Sequence, residues 1–211
     1  MTSARVASLS ASSKLAAAAR VIPLPLVLAS SSPRRLMLLR QIGIEPAQIK
    51  SPDIDETPHP GELPRPYVQR MAAAKAAAVP SPDHLVLAAD TVVAAGRRIL
   101  PKAETDDQVR ICLTLLSGRR HRVLTAIALA APNQPAQFRL VESIVTFNRL
   151  TEAQIGRYLA TGEGIGKAGG YAINGQAASF IRFLSGSHSA VVGLPLFETA
   201  QLLRGHGWQV P

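Results

Sequence analysis

The sequence predicts an α/β protein built on a mixed central β-sheet flanked by helices. Strand-like apolar runs and amphipathic stretches alternate along the chain, but too irregularly for a plain succession of βαβ units. Hydrophobic residues make up 47% of the 211 residues while aromatics supply only 4%, so the core has to be assembled mostly from Ala, Val, Leu and Ile. No internal repeat at the periods of solenoids or propellers is evident.

Taken in order, Leu24 to Ala29 reads as a buried strand and Pro33 to Gln41 as the helix after it, with Leu36, Met37, Leu38 and Leu39 on its apolar side. Ile44 to Ile49 reads as a short strand. "SPDIDETPHPGELPRP", rich in Pro and acid, then reads as an ordered loop or lid. A helix over about Pro66 to Val79 stacks Val68, Ala72 and Lys75 on one face. "HLVLAADTVVAAGRRIL" suggests a strand, a polar interruption and a hairpin near Gly96. Glu104 to Leu116 is helical, opened by Glu104 or Thr105 and closed by Gly118. "RHRVLTAIALAAP" and "FRLVESIVTFNRL" look like long strands. Thr151 caps a helix through Tyr158, "GEGIGKAGGYAINGQ" is a glycine-rich loop, and "VVGLPLFETAQLLRGHG" supplies one closing helix.

Composition narrows the function classes. The net charge of +9 attracts polyanions, but the basic residues are dispersed and few aromatics offer stacking platforms, so no stable nucleic-acid complex is expected. No apolar run is long enough to span a membrane. A lone Cys112 in "VRICLTLL" reads as a packed core thiol and excludes an internal disulfide. The opening residues contain Arg5, Lys14 and Arg20 but no acid, which fits a transit peptide, a disordered tail or an over-long start equally well. Residues 1–23 are therefore expected to be a flexible tail and 24–207 the folded domain, with a cytoplasmic location.

The first chemical signal is "LVLASSSPRR". Ser32 suits the N-cap of the helix and Pro33 its first turn. Arg34 and Arg35 do not suit that end, because the helix dipole disfavours cations there. A bound anion would reverse the conflict, drawing together free amides, serine hydroxyls and guanidinium groups. The second signal is acidic: Asp53, Asp55 and Glu56 in "DIDET", and Asp90 just past an apolar strand in "LAADTVV". Carboxylates suit Mg²⁺ or Mn²⁺, and two carboxylate sites beside a basic cradle are what a metal-dependent triphosphate hydrolase needs.

Together, "LASSSPRR", "DET" followed by "YVQRMAAAKA", "LAADTVV", "LSGRRHRVLTA", "GKAGGYAING" and "VVGLPLFET" resemble the Maf family of nucleoside triphosphate pyrophosphatases, also called septum formation inhibitors, nearest its dTTP/UTP branch. The resemblance runs from Leu26 to about Leu203. It implies an elongated molecule with two lobes around a deep cleft, similar to inosine triphosphate pyrophosphatases, and commonly a homodimer. The implied reaction is metal-assisted attack of water on the α-phosphate, giving a nucleoside monophosphate and pyrophosphate. A nucleotide-binding regulator of cell division acting through a partner is the alternative.

Carried over to this chain, the resemblance assigns phosphate binding to Ser30, Ser32, Arg34 and Arg35. Glu56 becomes a metal or water ligand, Lys75 a phosphate-neutralising cation, and Asp90 the catalytic base, with Mg²⁺ or Mn²⁺ held by Glu56 and Asp90. Thr91 and Arg34 match positions associated with base selection, and Lys102 and Lys167 complete the cationic clamp. Asn174 stands where the pattern usually has Gln, Gly166 where it has Asp, and "LPKAE" replaces the common "GKP". His121 and His188 read as structural. The glycine-rich loop lacks the P-loop spacing, and no nucleophile elbow accompanies the serines.

Overall fold

In the computed structural model, residues 23–211 are described, and all of the expected tail except Pro23 lies outside the described residues. A seven-stranded mixed sheet organises the chain. Strand β1 (Leu26–Ala29) lies parallel to both β2 (Gln48–Ile49) and β3 (Leu85–Ala95). On the far side of β3 the pairing turns antiparallel, through β6 (Arg120–Ala130), β7 (Gln137–Phe147) and β9 (Ile181–Ser185). The short β4 (Arg98–Leu100) folds back on the end of β3 through Gly96, whose φ of 60° is cheap only for glycine. A separate ribbon pairs β5 (Lys102–Ala103) with β8 (Lys167–Ala168).

Helices cover both faces. Helix α2 (Pro64–Ala77) alone packs on one, where Val27, Ala29, Val86, Ala88, Val92, Ala94, Leu124, Ala126 and Ala128 meet its Val68, Met71, Ala72 and Ala76. The many alanines at this seam let helix and sheet approach closely. The opposite face carries α1 (Pro33–Gln41), α3 (Asp106–Leu116), α4 (Glu152–Leu159), α5 (His188–Val192) and α6 (Leu196–Arg204) over Leu85, Leu87, Val93, Ile127 and Phe147. Strand alternation therefore sorts β3 into two sets: Val86, Ala88, Asp90, Val92 and Ala94 toward α2, and Leu85, Leu87, Ala89, Thr91 and Val93 away from it.

Four local expectations change. Asp90 is not at a strand end: β3 runs unbroken through it, paired Asp90 to Ala126 and Thr91 to Thr125. The polar pair breaks the apolar pattern without breaking the ladder, because only backbone groups make the ladder. Ser32 occupies the N-cap position of α1, but its side chain makes no cap hydrogen bond; its amide donates instead to Ser30 Oγ at 3.2 Å. The single closing helix is two, α5 and α6, separated by Gly193 and Pro195. Strand β9 went unanticipated, since "IRFLS" exposes most of its length at the sheet edge and lacks a clear alternation.

Cys112 and His121 are both buried. His121 sits edge-on to Phe147 and Tyr171, with Nε2 2.8 Å from the Tyr171 hydroxyl. Burial pulls its pKa from the ordinary 6.5 down to about 4. Between those values the unfolded chain binds the extra proton and the folded one does not. Stability is thus full above pH 6.5 and falls as the pH drops toward 4, by up to about 3 kcal/mol. Urea titrations at pH 7 and pH 4.5 should show this loss in the wild type and a much smaller one in His121→Gln. Equal losses would assign the acid sensitivity elsewhere.

Candidate active site

A cleft of about 400 Å³ opens where β1, β3 and the β5–β8 ribbon approach one another. It is lined by Ser30, Ser32, Arg34, Arg35, Glu56, Lys75, Asp90, Thr91, Lys102, Lys167 and Asn174, the residues carried over by the resemblance, whereas Asp53 and Asp55 of the acidic loop do not line it. A second hollow, about 780 Å³, shares Glu56, Asp90, Thr91 and Lys102 with it and continues past the acidic loop toward Arg97 and Arg98.

The serine–arginine wall comes from the turn between β1 and α1. Arg35 Nε donates to the Gly193 carbonyl at 2.9 Å, and its Nη1 donates to the buried Ser30 hydroxyl at 3.0 Å. Among the described residues neither Arg34 nor Arg35 makes an ion pair. Burial lowers the pKa of Arg34, Arg35 and Lys167, with Asp90 partly offsetting the effect at Arg35 and Arg34 adding to it at Lys167. The guanidiniums stay charged nonetheless, because their ordinary pKa is so high. Three partly buried cations with no carboxylate paired to them among the described residues favour a bound anion.

The carboxylates are organised by Lys75. This lysine rises from α2 on the same face as Asp90 and is almost wholly enclosed. Its Nζ lies 2.5 Å from Asp90 Oδ1 and 2.9 Å from Glu56 Oε1, while the second Glu56 oxygen pairs with Lys102. Burial alone would raise the Glu56 carboxyl; hydrogen bonds from Lys102 and Lys75 outweigh it and hold the group below the usual carboxylate range. Asp90 Oδ2 has no hydrogen bond to the described protein, yet it is not a sealed, unsatisfied atom. It remains open to a ligand or water.

Lys102 and Lys167 come from the β5–β8 ribbon, where Lys102 pairs with Ala168 and Ala103 with Lys167. Lys102 spends its charge on Glu56, so the expected clamp is looser than five independent cations. Still, five cationic side chains against the two carboxylates Glu56 and Asp90 leave the cleft three positive charges in excess. Asn174 is exposed on the glycine-rich loop at the rim. Its side chain makes no hydrogen bond to the described protein, whereas the neighbouring Gln176 amide is held by Glu163 at 2.9 Å.

Sequence reasoning missed the opposite wall: Val93, Val123, Val191, Val192, Gly193 and Tyr171. These are apolar core residues by type, and nothing local distinguishes those that border a cleft. It also missed Thr125, which is fully buried behind Thr91.

Among the described residues no group of three or more His, Cys, Asp or Glu could enclose a metal. Glu56 and Asp90, both held by Lys75 at the cleft, fit Mg²⁺ or Mn²⁺ in another way, since such ions are commonly bound by one or two carboxylates together with substrate phosphates. No described helix is long and apolar enough to cross a membrane.

Comparison with known proteins finds relatives over most of the chain. The chain is 62% identical over 187 residues to a dTTP/UTP pyrophosphatase of Gluconobacter oxydans, covering 85% of this chain and 86% of that protein. It is 58% identical over 187 residues to a dTTP/UTP pyrophosphatase of Zymomonas mobilis, covering 88% and 93%. A solved nucleoside-triphosphatase / dITP/XTP pyrophosphatase from Mycobacterium abscessus aligns over 86% of this chain and 94% of that one, but at 18% identity and a TM-score of 0.43 the likeness carries no argument. The profile of the family described as Maf-like protein matches residues 25–206, which span the whole sheet and every residue of the cleft. The chain belongs to the Maf-like protein family.

Proposed function

We propose that the cleft hydrolyses nucleoside triphosphates to the monophosphate and pyrophosphate, with dTTP and UTP as the favoured substrates. The observation that carries this reading is the convergence of five cations with Glu56 and Asp90 on one cleft, with Lys75 bridging the two acids. The names of the relatives, dTTP/UTP pyrophosphatases at 55–62% identity, support the substrate class.

In this reading Ser30, Ser32, Arg34, Arg35 and Lys167 grip the phosphate chain beside the start of α1, where the helix dipole also favours an anion. Lys75 holds Asp90 by Oδ1, leaving Oδ2 to take the proton from the attacking water. Glu56 and Asp90 would hold the divalent cation, which supplies charge neutralisation at the phosphates and an acidified water. Thr91 and Asn174 border the space left for the base.

A homodimer belongs to the same reading. Phe183 on the edge strand β9 is 56% exposed and Phe197 on α6 is 67% exposed, apolar surface that a second copy would cover. The reading also implies action in the cytoplasm, where a nucleotide pool has to be policed.

The test is pyrophosphate release by the purified full chain from dTTP, UTP, CTP, ITP and methylated nucleotides, with Mg²⁺ or Mn²⁺ and after chelation. Metal-dependent release is expected from dTTP and UTP first. A chain that binds these nucleotides but releases nothing would be a nucleotide-dependent regulator instead.

A further inference from the structure

Between β2, which ends at Ile49, and α2, which begins at Pro64, the chain that carries Glu56 has no helix or strand of its own. The Lys50 amide still donates to the Leu28 carbonyl, but from Ser51 to Pro58 no backbone group pairs with backbone elsewhere among the described residues. Ile54 packs against the core on the α2 side. Asp55 shapes the turn locally, its carboxylate accepting the Thr57 amide at 2.8 Å. Neither contact fixes how far Glu56 reaches into the cleft.

Two side chains of α2 do. The buried Tyr67 donates its hydroxyl to the Glu56 carbonyl at 2.9 Å, and Arg70 Nη2 donates to the next carbonyl, that of Thr57, at 3.2 Å. Among the described residues these are the only hydrogen bonds that tie the backbone of 51–58 to another element. Arg70 is itself held: its Nε and Nη2 donate to the two Glu62 oxygens at 2.9 and 2.6 Å, and Glu62 also accepts the His59 amide at 3.0 Å. The guanidinium lies over the Tyr67 ring, 5.6 Å from its centre, as residues three apart on a helix can. Lys75 rises from the same helix. Helix α2 therefore grips the main chain of Glu56 at one point and its carboxylate, through Lys75, at another.

We propose that Tyr67 and Arg70 are positioning residues that latch the acidic loop to α2 and so deliver the Glu56 carboxylate to Lys75 and Lys102. This rests on the pyrophosphatase reading above, in which Glu56 serves the reaction. Neither Tyr67 nor Arg70 lines the 400 Å³ cleft, so both act through the loop. The phosphate-gripping Ser30, Arg34, Arg35 and Lys167 come from other elements, so losing the latch harms turnover more than nucleotide binding. Small misplacements of a reacting group are costly: a shift of about 1 Å can lower a rate about 10²-fold.

The experiment uses Tyr67→Phe in the full chain, which keeps the buried ring and removes the donor. Its kcat for pyrophosphate release from UTP should fall about tenfold while KM stays within about twofold of the wild type. In a Glu56→Gln background the same change should slow release no further, since the carboxylate it positions is already gone. A Glu-specific endoprotease reads the loop without any activity. Cleavage after Glu56 should be several-fold faster in Tyr67→Phe, while cleavage after Glu142, inside β7, keeps the wild-type rate. Arg70→Lys retains the charge but lacks the fork that reaches Glu62 and Thr57 together, so it should show the same pattern. It answers the question if Tyr67→Phe does not fold. A wild-type kcat in these variants, a loss carried by KM, a further loss in the Glu56→Gln background or a loop cut no faster than in the wild type overturns the latch. A wild type inert toward every nucleotide overturns the pyrophosphatase reading instead, and the cleavage comparison then decides the latch.

Discussion

Asp90→Asn lowers pyrophosphate release on the order of a thousandfold and leaves nucleotide binding within a few-fold of the wild type. The amide has the size of the carboxylate but cannot take a proton from water, and general-base contributions commonly reach about 10²–10⁴. Lys75 keeps Glu56 as a partner at 2.9 Å in the variant, so its buried ammonium is not orphaned and the fold survives. Single-turnover release of pyrophosphate from UTP, alongside equilibrium dialysis with the same nucleotide, separates the two effects. A variant within tenfold of wild-type turnover would remove Asp90 from the role of base.

Lys75→Met has the largest expected effect on stability. Among the described residues the lysine is the one cation in an ion pair with Asp90, whose side chain is 4% exposed, whereas Glu56 is 34% exposed and keeps Lys102. Removing the ammonium strands a buried carboxylate, a loss of about 3 kcal/mol or more. Adding Asp90→Asn should restore most of the loss, because no buried carboxylate is then left without its cation, and urea titrations of the wild type and both variants check this. A loss that the second substitution leaves unchanged would mean that Lys75 contributes packing rather than charge.

The stability prediction turns on a contact that sequence reasoning could only half see. The stacking of Val68, Ala72 and Lys75 on one helical face follows from the 3.6-residue period, and all three are buried on that face. That the charged member of the set meets Asp90, 15 residues away in sequence on the strand beneath the helix, is written in no local pattern. Asp90 itself was misjudged locally: an acid in an apolar run looks like the end of a strand. Its neutralising partner belongs to another element, and that partner lets it remain in the middle of one. Ser32 shows the converse. Residue type and position both favour a cap, yet the Ser30 hydroxyl, held by Arg35, already accepts the amide that precedes the helix.

By itself the sequence determined the local elements and the chemical inventory: the strand–serine–arginine turn, the Thr151 cap, the hairpin glycine at position 96, and the supply of acids and lysines. These follow from short-range periodicity, backbone permissiveness and residue type, which a chain carries wherever it goes. The tertiary structure alone decided that Asp90 and Thr91, neighbours in sequence, work on opposite faces of one strand. It likewise decided that Lys75 binds two acids together, and that Thr125, 34 residues away in sequence, stands 3.0 Å from Thr91. Those outcomes depend on which strands pair and in what register. Register is fixed by packing both faces of the sheet at once, so it is a property of the assembled core rather than of any segment.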